Sequence, residues 1–210
     1  MTTCLALEFS SERRSAAVAR DGLLLSEAWV QGGTSTSAPG LIAEALSKAG
    51  VQPADVTRLV VGLGPGSYTG IRRAIATFHG WHLALGTPVA RVGSMDLLAS
   101  LAHDAGHRDC LLASDAQRGE WACGEMRDGR VAGPLRLLGR EQVIEEIARG
   151  RRVVTPDRGL EGAVLMYPTA ALAATLGHAI ETVRPQLLEP VYLREAAFQK
   201  APPARHHAQS

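Results

Sequence analysis

The sequence predicts an α/β fold of two lobes, the second one reduced. Three observations carry that reading. Strand-like and helix-like segments alternate along the chain. The opening segments run strand, strand, strand, helix, strand, helix. The chain has 210 residues, a length that suits one large domain or two small lobes. Apolar residues make up 46 % and Gly fills 22 positions, which excludes a disordered chain.

Each element has its own signal. Residues 4–9 form a short, nearly continuous apolar run, as a buried strand does. A second strand is expected at 15–19. Asp21-Gly22 is a hairpin turn signal, and a third strand returns over 23–30. Gly32-Gly33-Thr34-Ser35-Thr36-Ser37 reads as a loop. A helix follows at 39–49, with Pro39 in its first turn and Gly50 just past its end. Leu41, Ile42, Ala45, Leu46 and Ala49 make its apolar stripe. Residues 58–63 form a fourth strand that enters Gly64-Pro65-Gly66. A long helix spans 69–86, stopped by Gly86 and Pro88. Ile71, Ile75, Phe78, His82 and Leu85 share one of its faces, while Ala76, Gly80 and Ala84 keep another narrow. Ser94 is placed to cap a helix to 102. Strands are expected at 110–113, 119–126 and 151–155, and helices at 140–149 and 169–180.

The opening order is that of the ribonuclease-H-like half domain found in actin and sugar kinases (the ASKHA fold). A full two-lobed kinase needs a longer chain, so the second lobe must be cut down. The expected division is a ribonuclease-H-like lobe at 1–100, a reduced lobe at 101–200 and a flexible tail at 201–210.

Charge excludes several classes. Lys and Arg total 22 against 21 Asp and Glu. Neither half carries a basic excess that would indicate autonomous nucleic-acid binding. Cys4, Cys110 and Cys123 are an odd, widely spaced set with no CxxC, which suits neither a disulfide framework nor a zinc module. The first eight residues lack the pattern of a signal peptide, and no apolar run reaches the ~20 residues that span a bilayer. A cytoplasmic location without membrane association is expected.

The strongest local signal is Gly64-Pro65-Gly66-Ser67-Tyr68-Thr69-Gly70-Ile71-Arg72. Two glycines around a proline make a tight strand-to-helix turn. Ser67 or Thr69 then stands at a helix N-terminus, a place that favours anions. One reading is a phosphate or carboxylate site with Arg72 as counter-charge. The other is a structural capped turn, which the spacing favours. It is not a P-loop, since GxxxxGK[ST] is absent.

This segment resembles the GPGSFTG(V/L)R signature of the TsaB (YeaZ) family, a paralogue of TsaD/Kae1. Leu83-Ala84-Leu85-Gly86, Pro88 and Gly93-Ser94-Met95-Asp96-Leu97-Leu98 continue the likeness. Asp115-Ala116-Gln117-Arg118-Gly119-Glu120 is similar to the family's DARxGE(V/I)Y, and Glu189-Pro190-Val191-Tyr192-Leu193-Arg194 to its near-terminal xPxYLR. The blocks fall in the family's order from position 60 to 194. Glu8-Phe9-Ser10-Ser11 departs from the family's Asp-Thr-Ser/Ala, Thr34 stands where a histidine is usual, Ala74 and Ala76 replace glycines, and Phe78, Trp81 and His82 are bulkier than usual.

The remaining candidates are weaker. Glu8 and Asp115 follow strands, as metal-holding carboxylates do in actin-like ATPases. A pair could do acid–base work, but loop capping explains both, and they read as vestigial. His79 and His82 lie at i, i+3 with no third ligand evident. Cys110 reads as core rather than nucleophile. Residues 127–158 hold eight arginines against five acids, either a solvated face or an aid to tRNA backbone contact.

The resemblance implies a non-catalytic scaffold or activator of TsaD in the bacterial complex that makes N6-threonylcarbamoyladenosine in tRNA. No cofactor or metal is implied. The implied partners are a TsaD homologue, a TsaE-type ATPase in the larger complex, a second copy when alone, and tRNA only through the complex. The implied partner surface is the pair of helices, through Leu41, Ile42, Ala45, Leu46, Ile75, Ala76, His79, Gly80 and Leu83. The rivals are a small actin-like ATPase or kinase acting alone, which needs an adenosine loop not seen after Thr155, and a metalloprotease, which lacks its HExxH.

Overall fold

The computed structural model describes residues 1–32 and 37–193. The heart of the expected loop, with Thr34, lies outside the described residues, as do Arg194, the expected tail at 201–210 and its His206-His207. Two sheets organise the chain.

The first sheet contains β1 (Thr3–Glu8), β2 (Arg13–Arg20), β3 (Leu23–Gln31), β4 (Arg58–Gly62), β5 (Val89–Val92) and β11 (Thr182–Val183), in the order β11-β5-β4-β1-β2-β3. β1, β2 and β3 form an antiparallel meander, and β4 and β5 join in parallel. The second sheet contains β6 (Asp109–Asp115), β7 (Glu120–Arg127), β8 (Arg130–Gly139), β9 (Val153–Thr155) and β10 (Val164–Leu165), in the order β10-β9-β6-β7-β8. It repeats the same plan, an antiparallel meander with parallel strands added beside its first strand. The fold is ribonuclease-H-like and actin-like. The second copy is reduced, its parallel strands being three and two residues long.

Alternation along β1 explains the layering. Leu5, Leu7 and Phe9 enter one core, shared with α1 (Ala38–Ala49) and α2 (Tyr68–Leu85). Cys4 and Ala6 enter another, shared with α5 (Ala170–Leu176). The strand face under α5 is built from Cys4, Ala6, Ala17 and Ala19, and these short side chains let an Ala-rich helix lie close. Around the second sheet, α3 (Ser94–Asp104) packs on Cys110, Leu112 and Met126, and α4 (Arg140–Ala148) brings Val143 to the other face.

Several expectations need correction. A division at residue 100 falls inside α3, and α5 and β11 rejoin the first sheet, because that sheet's second face needs a cover. α5 stops at Leu176 rather than 180. There Arg58 Nη1 donates to the carbonyls of Gly177 (2.9 Å), His178 (3.3 Å) and Ile180 (2.8 Å), satisfying acceptors just past the helix end. Ser94 is the first residue of α3 and its cap is Gly93, since the Ser94 hydroxyl is engaged elsewhere. β5, β8, β10 and β11 are strands that the sequence reading omits. No helix among the described residues is long and apolar enough to cross a membrane.

Candidate functional site

The site grows from the ends of the first strand of each sheet. Glu8 closes β1 and is completely buried. Its Oε1 accepts from Ser10 N (2.7 Å) and its Oε2 from Ser94 Oγ (2.8 Å). The Ser94 hydroxyl in turn accepts from Gly64 N (2.9 Å). Gly62 makes the room, because a Cβ there would stand 1.8 Å from Glu8 Oε2. Burial pushes the Glu8 carboxyl above its ordinary range, against the pull of the Ser10 and Ser94 hydrogen bonds. Asp115 closes β6, and its Oδ1 likewise accepts from the backbone two residues on, Gln117 N (2.7 Å). Each carboxylate therefore ties a loop. Glu8 lines neither cavity described below, so the structure does not combine it with Asp115 into an acid–base pair.

The signature turn packs on the loop after β1. Ser67 N donates to Ser10 O (2.6 Å), and Ser67 Oγ caps α2 by accepting from Gly70 N (3.3 Å). The Gly64–Pro65 peptide is cis. Gly66 has φ +147, and a Cβ on it would stand 2.2 Å from Ser10 O, so the loop and turn fit only with glycine there. Thr69 is exposed in the first turn of α2. Arg72 is exposed and engages Tyr68 within the turn. Its Nη1 donates to Tyr68 OH, and its guanidinium lies 5.2 Å from the Tyr68 ring centroid.

Two connected spaces open between the sheets. One, about 250 Å³, is walled by Pro65, Ile71, Leu137, Val191 and Leu193 among others. The near-terminal segment is held there by Val191 N donating to Leu63 O (2.8 Å) and by Tyr192, whose ring lies 5.6 Å from that of Tyr68. The other, about 540 Å³, is polar and is lined by Ser10, Ser11, Glu12, Arg14, Ser67, Tyr68, Thr69, Asp115, Gln117 and Asp157. Three of these, Glu12, Arg14 and Asp157, the sequence reading did not single out. Glu12 Oε1 accepts from Gln31 Nε2 (2.6 Å), Tyr167 OH (2.7 Å) and Arg158 Nε (2.8 Å). The bond from Arg158, then that from Tyr167, holds its carboxyl below the ordinary range. Asp157 Oδ2 accepts from Asp115 N (2.8 Å) and Ser114 Oγ (3.1 Å), and burial raises its pKa. Arg14 is buried and Gln117 stands in the left-handed region at φ 65. Glu12 and Arg14 lie far from Asp157 in sequence, and none of the three belongs to a motif.

The expected partner surface divides in two. Leu41, Ile42, Ala45, Leu46 and Ile75 are buried in the core above the first sheet, so they pack inside the chain rather than on its outer surface. The outer side of α1 carries Ala43, Glu44, Ser47 and Lys48 instead, with a Lys48–Glu44 ion pair. On α2, Ala76, Gly80, Leu83, Ala84 and Leu85 face outward, Leu83 at 84 % and Leu85 at 52 % exposure. Ala74 is buried. His79 Nε2 meets Pro185 O (2.6 Å), and His82 Nδ1 meets Thr87 O (2.9 Å). Among the described residues no cluster of three metal-ligating side chains occurs.

The overall fold is matched in known proteins. A family model described as TsaD: tRNA N6-adenosine threonylcarbamoyltransferase matches residues 34–147, more than half of the chain. The structure of YeaZ from Pseudomonas aeruginosa superimposes with a TM-score of 0.73 at 29 % identity, covering 92 % of this chain and 100 % of that one. The chain belongs to the TsaB (YeaZ) family. Among curated relatives, the Bacillus subtilis tRNA threonylcarbamoyladenosine biosynthesis protein TsaB is 29 % identical over 122 residues, 56 % of this chain and 52 % of its own length. An uncharacterized Mycobacterium leprae protein is 40 % identical over 91 residues, 43 % of this chain and 24 % of its own length. An uncharacterized Mycobacterium tuberculosis protein is 37 % identical over 97 residues, 46 % of this chain and 44 % of its own length. The matched stretch thus spans between a quarter and about half of these curated relatives.

Proposed function

We propose that this TsaB-family chain serves tRNA threonylcarbamoyladenosine biosynthesis as a scaffold and activator of a TsaD homologue, without chemistry of its own. One observation carries the reading furthest: the outer face of α2. Ala76, Gly80, Leu83 and Ala84 fall at i, i+4, i+7 and i+8, and all are exposed. An apolar, narrow helical stripe left open to water is a surface for another helix. Small residues let two helix axes approach closely. The partner would be held in its competent shape by binding that shape better than others.

Contact with a TsaE-type ATPase belongs to the larger assembly, and tRNA would be met only through it. Without TsaD the same stripe would pair two copies of the chain. The loop-tying roles of Glu8 and Asp115 support a reading without catalysis. The test is co-purification with a TsaD homologue, using Ala76→Arg to break the contact. The outward placement of Ala76 leaves the core of that variant intact. Loss of TsaD in the folded variant supports the proposal, and retention of TsaD excludes this face.

A further inference from the structure

Arg14 stands on β2 inside the polar cleft, only 5 % exposed, yet its Nε and Nη1 make no hydrogen bond. It has no ion pair among the described residues. Its guanidinium carbon lies 5.9 Å from the Phe9 ring centroid. Burial, and then the like charge of Arg73, lower its hold on its proton. A buried guanidinium without a counter-charge is unfavourable, and an anion from outside the chain would relieve it. Ser10 lines the same cleft at 2 % exposure, and its Oγ makes no hydrogen bond of normal geometry, though it stands near enough to Glu8 to pull that carboxyl's pKa down. The third element is the start of α2, an 18-residue helix. Ser67 Oγ satisfies Gly70 N, whereas the N–H groups of Tyr68 and Thr69 have no partner within the helix. That helix end carries partial positive charge.

We propose that this end of the cleft binds an oxyanion, the carboxylate or phosphate group of a small ligand, through the Arg14 guanidinium, the Ser10 hydroxyl and the first turn of α2. A planar guanidinium matches either group with paired hydrogen bonds. The same cleft is lined by Glu12, Asp115 and Asp157. Glu12 is engaged by Arg158, but Asp115 and Asp157 oppose a second negative charge. A monoanionic carboxylate therefore fits better than a phosphate dianion. Arg72 takes no part. None of these residues belongs to the outer stripe of α2, so the site stands independently of the TsaD reading.

The test is a titration of the full-length, nitrogen-15-labelled chain with sodium acetate and, separately, sodium phosphate, at fixed pH and ionic strength. The arginine Nε–H signals and the Tyr68 and Thr69 amides report binding. Saturable shifts at these groups are expected, stronger with acetate. Arg14→Met should weaken binding at least about tenfold, while melting at or above the wild type in the absence of added anion, because an uncompensated buried charge has gone. Saturation by phosphate but not acetate assigns the site to a phosphate group and upholds it. Shifts that never saturate, or that persist in Arg14→Met, overturn it. If Arg14→Met fails to fold, the wild-type titration and Ser10→Ala decide: saturable wild-type shifts that Ser10→Ala weakens uphold the site, and their absence overturns it.

Discussion

Gly66→Ala should lower stability by about 3 kcal/mol, from strain of ~1–3 kcal/mol at an unfavourable backbone conformation and ~1 kcal/mol for a lost hydrogen bond. The φ of +147 at Gly66 is one that side chains rarely adopt, and the new Cβ would stand 2.2 Å from the carbonyl oxygen of Ser10. That oxygen is backbone and cannot rotate away. Relief requires the turn to draw back, which breaks the 2.6 Å bond from Ser67 N. In a chain of this size 1 kcal/mol corresponds to ~2–4 °C, so Tm should fall by about 6–12 °C. Gly80→Ala is the matched control. Gly80 lies in α2 with nothing within 4 Å of an added Cβ, and replacing a helical Gly by Ala stabilises by ~0.5–1 kcal/mol. Thermal melts by circular dichroism on both variants, checked by urea unfolding, read the difference. A Gly66→Ala chain melting within 2 °C of the wild type, or a Gly80→Ala chain losing as much as Gly66→Ala, would refute this account of the turn.

Glu8 offers a pH test. Its folded pKa is raised by burial, so the unfolded chain releases this proton first, and stability falls as pH rises from ~4.3, the ordinary Glu value, through the folded value. Glu8→Gln keeps the shape and removes the titration. Its melting temperature relative to wild type should climb across that window and then level off, whereas a constant offset at every pH would contradict a neutral buried Glu8. The three cysteines are all buried, and burial raises the Cys110 and Cys123 thiols to about 11 and about 12. The native chain should resist alkylation by iodoacetamide at pH 8 and react at all three only on unfolding; rapid native labelling of Cys110 would show that its strand opens.

Much of the first sheet is legible in the sequence because its elements are long and strongly patterned. β1 alternates between two cores, α1 carries Pro39 and Gly50 at its ends, and Ser67 and Gly86 bracket α2. β8 is hidden by Gly133 and Pro134, which read as breakers; it is tolerated because β8 is an edge strand whose pairing with β7 shifts register between Cys123 and Glu125. β10 and β11 are two residues each, too short for any periodicity. The amphipathic spacing of α1 locates an apolar stripe but does not say what covers it, and here the sheet does. The cleft is the least legible part. Arg14, Glu12 and Asp157 converge with Ser67 and Asp115 only through folding. A buried unpaired arginine leaves no trace in composition or spacing.

The central claim is that the outer stripe of α2 carries the partner. The most direct measurement is the affinity of the purified chain for a TsaD homologue, by titration calorimetry, with wild type and Ala76→Arg side by side. Ala76 is exposed on α2, so the variant should melt within a few degrees of wild type. A large charged side chain in the middle of a close helix contact should cost at least about 2 kcal/mol of binding, a loss of some thirtyfold or more. The account predicts wild-type binding that Ala76→Arg abolishes or weakens to that extent. A folded Ala76→Arg chain that binds TsaD as tightly as wild type would contradict it.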